Sequence, residues 1–142
     1  MVLVIAGLLV ALTPPLVSAA VPGMRAQAAV RSLAATLRDA RFAAISRGAA
    51  VDVRFDLEGR RYAVAGARAE SLPRGIGIRL QGPGARDGDD RAAPGGYTLR
   101  FYADGSSNGL RARVGPERGG YIVAVDWLMG RVSLTEVPNR AE

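Results

Sequence analysis

The sequence predicts an α+β protein in which one long N-terminal helix precedes an antiparallel β-sheet domain. Three observations lead there. The opening run MVLVIAGLLVALTPPLVSAAVPGM carries no charge. From Arg25 to Gly48 the apolar residues recur three or four positions apart, the period of one helix face. Beyond Ala50 the period falls to two, as in half-buried strands.

Residues 1–24 read as a membrane-spanning half of the helix, because about twenty mostly apolar residues suffice to cross a bilayer. Pro14 and Pro15 interrupt the run, and each proline removes a backbone donor and crowds the preceding turn, so a kink or local melting is expected there. A secretory signal would find small residues at Val17, Ser18, Ala19 and Ala20, but no positive charge precedes the apolar core. Residues 25–48 form the amphipathic half. Beyond Pro22 and Gly23, Ala26, Val30, Leu33, Leu37, Ala40 and Ala44 make the apolar stripe, with Phe42 and Ile45 beside it. Arg25, Arg31, Arg38 and Arg47 take the remaining surface, and Gly48 is a helix stop.

Residues 49–142 are the sheet domain. Val51, Val53, Phe55 and Leu57 alternate with Asp52, Arg54 and Asp56, and Glu58-Gly59 turns the chain into Tyr62 and Val64, a β-hairpin. GIGIRLQ puts Ile76, Ile78 and Leu80 on one face of a third strand, and YTLRFYA does the same with Tyr97, Leu99 and Phe101. LRARV follows, and GYIVAVDW and GRVSLTE close the domain as a hairpin through Leu128-Met129-Gly130. The stretch QGPGARDGDDRAAPGG reads as a long surface loop. Its Asp87, Asp89 and Asp90 lack EF-hand spacing and the terminal Glu, so a solvated charged loop is the better reading than a calcium site.

Composition removes most chemistry. The 142 residues include no cysteine and no histidine, which excludes disulfides and thiolate metal sites and takes away the commonest general base. Every basic residue is arginine, so no lysine can form a Schiff base or complete a phosphate-binding P-loop. Ser106 and Ser107 therefore have no partner of the usual kind, and ADGSSNGL reads as a turn between strands. Neither an enzyme nor a cofactor is expected. Trp127, at a strand end, is expected to cap the hydrophobic core. The net charge of +6 suits an anionic partner such as phospholipid or nucleic acid, or simply reflects an arginine-, alanine- and glycine-rich composition typical of a GC-rich genome.

Three stretches carry a resemblance. LAATLRDARFAAISRGAAVDVRF is similar to the helix-to-first-strand region of the GspH/FimT family of minor pseudopilins, at Leu37, Ala40, Arg41, Ala44, Ile45, Arg47, Gly48 and Val51. LRFYADGSSNGL and YIVAVDWLMGRVSL resemble the family's Phe strand, its Asp-Gly-Ser turn and its Val-Asp-x-x-x-Gly-Arg-Val hairpin. Matching positions there are Phe101, Asp104, Gly105, Ser106, Val125, Asp126, Gly130, Arg131 and Val132. The resemblance implies a pilin-like fold anchored by one pass in the inner membrane, with the sheet domain in the periplasm.

It also implies partners. The N-terminal helix would meet inner-membrane lipid before assembly and the helices of other pseudopilins after it, and the whole would work with the secretion machinery of a type II system. Family members begin with a basic leader and a Gly-Phe-Thr-Leu-x-Glu stretch cut by prepilin peptidase, followed by methylation. This chain starts inside the apolar run that follows, so the expectations, in order, are a true start upstream of Met1, a truncated sequence, or a protein that has lost processing. The FimT-like members suggest an alternative role, DNA capture at a type IV pilus through a basic Gly-Arg-x-Arg motif. Here that motif reads Gly130-Arg131-Val132-Ser133, without its second arginine. Arg111 and Arg113, two apart on a predicted strand, join Arg131 as candidate DNA-binding residues.

Overall fold

The computed structural model describes residues 16–81, 96–116 and 119–139. The expectations for Pro14 and Pro15 and for Asp87, Asp89 and Asp90 lie outside these residues. Helix α1 spans Leu16–Arg47. It runs through Pro22 and Gly23, since an interior proline removes one ladder bond while the turns on either side keep theirs. The stripe at Ala26, Val30, Leu33, Leu37, Ala40 and Ala44 is buried, and Ala34 joins it. Gly48, at φ +62°, ends the helix in the left-handed conformation. There the N–H of Gly48 donates to the Ile45 carbonyl at 3.3 Å and the N–H of Ala49 to the Ala44 carbonyl at 3.2 Å.

Eight strands follow: β1 (Val51–Asp56), β2 (Arg61–Val64), β3 (Glu70–Ser71), β4 (Gly77–Gln81), β5 (Tyr97–Phe101), β6 (Leu110–Gly115), β7 (Gly120–Val125) and β8 (Val132–Val137). They form two antiparallel four-stranded sheets, ordered β3-β2-β1-β5 and β4-β6-β7-β8. The alternation read from the sequence sets the faces: Val51, Val53 and Phe55 of β1 and Leu99 and Phe101 of β5 point into the core. Leu110, Ala112 and Val114 of β6 and Val123 and Val125 of β7 do the same from the second sheet. Helix α1 packs against β1 and β5 of one sheet and β6, β7 and β8 of the other, so its apolar stripe is the common wall of a single core. On the outer face of the first sheet Asp52 sits opposite Arg100 and takes two bonds from its guanidinium, at 2.6 and 2.9 Å. Half of the Arg100 side chain is exposed, so water and salt screen the pair.

A polar contact fastens the far edge of the first sheet to the helix. The Tyr62 hydroxyl donates to Glu70 Oε2 at 2.7 Å, and Ser32 Oγ of α1 donates to the same oxygen at 3.3 Å. Burial, and then the bond to Glu70, push the Tyr62 phenol up to about 12 from its ordinary 10.0. A raised folded-state pKa means that this contribution is complete below pH 10 and disappears as pH rises to about 12. Melting temperatures followed across that window should fall in the parent and fall less steeply in Tyr62→Phe, which has no phenol to ionise.

Trp127 corrects the sequence reading. It is 63% exposed rather than a cap on the core, because it lies in the tight turn after β7, past the last inward-facing residue, Val125. Phe42, beside the buried helix stripe, is likewise 72% exposed. Among the described residues no helix is long and apolar enough to cross a membrane.

Candidate functional site

The three resembling stretches meet at the C-terminal end of α1. In the turn after β5, Asp104 Oδ1 accepts from the Ser106 N–H at 2.9 Å and from Ser106 Oγ at 2.6 Å. These bonds hold the Asp104 carboxyl below its ordinary range. The Gly105 N–H donates to the Tyr102 carbonyl and the Tyr102 N–H to the Ser106 carbonyl, each at 2.9 Å, which closes the turn on itself. Gly105, at φ +86°, leaves its carbonyl free to accept from Arg41 Nε at 3.0 Å.

In the turn after β7, Asp126 plays the corresponding part. Its Oδ1 accepts from the Met129 N–H at 2.7 Å and its carbonyl from the Gly130 N–H at 2.9 Å, while its own N–H donates to the Arg131 carbonyl at 3.0 Å. Gly130 sits at φ +63°, and a Cβ there would run into the Gly105 carbonyl and lie 2.9 Å from Arg41 Nε. Glycine is required on both counts, conformation and space.

Ser107 staples the two turns. Its N–H donates to the Trp127 carbonyl and its Oγ to the Asp126 carbonyl, each at 2.9 Å, while Oγ accepts from the Gly109 N–H at 3.0 Å. Ser107 is 5% exposed and fully bonded, which explains a serine without a catalytic partner. Its importance was invisible in the sequence because neighbouring serines look alike until the second turn is in place. Ala40 and Ala44 are buried against the sheets, and Phe101 lies at the centre of the core.

Beside the stapled turns, Arg38, Arg41, Met129, Gly130, Arg131 and Val132 line a cleft of about 350 Å³. From the sequence Arg38 read only as a residue of the helix's polar surface, not of a site. Its place one turn before Arg41 was legible, but which helix face would meet the last hairpin was not. Arg111 and Arg113 lie on the outer face of β6, where Arg79 of β4 stands directly opposite Arg113. Arg113 donates to the Gly119 carbonyl at 3.1 Å and shares with Arg79 a second, smaller cleft of about 190 Å³. Of the candidate DNA-binding residues, Arg113 and Arg131 thus line different clefts. Among the described residues no group of three or more acidic side chains is placed to hold a metal ion.

The family model described as Type II transport protein GspH matches residues 29–129, a span holding the helix motif, the Asp104 turn and Asp126. The chain belongs to the GspH family. This GspH-family chain is 35% identical over 136 residues to a type II secretion system protein H of Xanthomonas campestris pv. campestris, a match covering 93% of the chain and 77% of the relative. Its fold is that of the minor pseudopilin EpsH of Vibrio cholerae, with a TM-score of 0.64 at 17% identity over 83% of this chain and 99% of the other. The type IV minor pilin FimU of Pseudomonas aeruginosa is also similar, with a TM-score of 0.57 at 19% identity over 77% and 87% of the two chains. The family is one of structural proteins, not of enzymes.

Proposed function

We propose that this chain is a minor pseudopilin, a structural subunit of the pseudopilus by which a type II secretion system drives folded proteins across the outer membrane. One observation supports a building role above all. The polar groups of the motif residues hold turns together: Arg41 binds Gly105, Asp104 binds Ser106, and Asp126 binds Met129. Such residues fix the shape of a surface and leave no group poised for chemistry. The N-terminal run would anchor the subunit in the inner membrane by a single pass before assembly. Afterwards it would pack against the helices of other pseudopilins, leaving the sheet domain in the periplasm with the secretion machinery.

Deleting the gene in its native host and assaying type II cargo is the test. Cargo held in the periplasm, with export restored by the intact gene, is the expected result. Undiminished export would overturn the reading.

DNA capture is the second reading, and the arginine-bearing outer face of β4 and β6, with Arg79, Arg111 and Arg113, supports it. It requires duplex binding that weakens steeply with salt and with Arg111→Ala; a titration at low ionic strength showing none would end it.

A further inference from the structure

The described residues include eight large hydrophobic side chains that are exposed, and six of them, Phe42, Ile45, Tyr102, Trp127, Leu128 and Met129, lie on the three segments that meet at the C-terminal end of α1. Two come from the last turns of α1, one from the start of the Asp104 turn and three from the Asp126 turn. A cluster of that size on a folded surface marks an interaction site, whereas single exposed apolar residues need no explanation. Its composition, with Trp, Tyr and Met beside Arg, is that of a protein-binding surface.

The charge of the adjoining cleft has one sign. Arg38, Arg41 and Arg131 line it, and among the described residues no acidic side chain lines it. Two of the nearby carboxylates are engaged, Asp104 with Ser106 and Asp126 with the Met129 N–H, while Asp39 stands exposed beside Arg38 outside the cleft lining. Arg41 spends its Nε on Gly105 and presents the rest of a fixed guanidinium. A partner that covers the apolar cluster would therefore meet arginines suited to paired carboxylates.

We propose that this end of the molecule docks an acidic, apolar segment of another protein, its aliphatic side chains on Trp127, Leu128 and Met129 and its carboxylates in the Arg38–Arg41–Arg131 cleft. The aliphatic share of the cluster gives nothing to a phosphodiester chain. A bilayer is the wrong occupant as well, since Arg41 lies about 37 Å along the helix from Leu16, at the rise of 1.5 Å per residue. The exclusion of a bilayer rests on the single-pass anchor proposed above; the remainder uses exposure and charge and holds whether or not the chain assembles into a filament.

Trp127 is the only tryptophan in the chain, so its emission reports occupancy of this surface directly. The test uses the full chain in lipid nanodiscs, titrated with a synthetic amphipathic peptide of leucine and glutamate. The expected result is a saturable blue shift, with affinity about tenfold weaker in Arg38→Gln/Arg131→Gln at unchanged melting temperature. Absence of a shift would overturn the proposal. So would equal binding of the same peptide with lysine for glutamate, because the arginines would then have no part. A stronger response to a short DNA duplex or to phosphatidylglycerol vesicles would reassign the surface to nucleic acid or membrane and equally sink it.

Discussion

Gly130→Ala should lower the unfolding free energy by about 3 kcal/mol, read as a shift in the urea midpoint without a change in slope. Two effects add. Alanine at φ +63° carries the left-handed backbone strain that glycine avoids, about 1 kcal/mol or somewhat more. Its Cβ would also strike the Gly105 carbonyl, a main-chain atom that cannot swing aside as a flexible side-chain end could. Relief requires the two turns to separate, which strains the Ser107 bonds and the bond from Arg41 to Gly105. Gly66→Ala separates the terms: Gly66 has φ +82° and nothing within 4 Å of an added Cβ, so only the backbone strain should appear. Equal losses in the two variants would show that the close approach of the turns contributes nothing.

Phe101→Ala is the other large effect, an expected loss of about 3–5 kcal/mol. Phe101 is among the largest side chains fully withdrawn from solvent. It stands opposite Val51 in the β1–β5 ladder and makes a bridge to Ser107. Truncation leaves a cavity that the surrounding strands cannot close without moving the Asp104 turn. Phe42→Ala deletes the same atoms from an exposed position and should change stability by no more than about 0.5 kcal/mol. Thermal or urea unfolding of both variants checks the contrast, and a small loss in Phe101→Ala would mean the core can collapse around the gap.

Local periodicity carried most of the architecture. The buried stripe of α1, the stop at Gly48 and the inward residues of β1 and β5 were all legible, because each depends on the spacing of apolar residues along one element. The division of the strands into two sheets was not, since alternation sets which face is buried without naming a strand's neighbour. The strand Glu70–Ser71 escaped for a related reason: a pair of polar residues has no period, and it is held by pairing with Arg61 and Tyr62. Trp127 shows the limit most clearly. Its type argued for burial, yet the Asp126 turn carries it past the end of the core, a matter of geometry that no property of tryptophan reveals. In the site, the resemblance gave Arg41, Gly105, Asp126 and Gly130 but not Ser107 or Arg38. Those two acquire meaning only when segments distant in sequence are brought together.

The staple at Ser107 has an entropic consequence. Trp127, Leu128 and Met129 project from a turn whose Trp127 carbonyl is tied to Ser107 and whose Met129 amide is tied to Asp126. An incoming surface would find these side chains on a preorganised platform and need immobilise only their rotamers, at about 0.5–1.5 kcal/mol each, rather than freeze a loop as well. Weakening that platform by Ser107→Ala would therefore slow no encounter but shorten the lifetime of whatever forms on it, since the ordering once built into the fold would have to be supplied at each binding event.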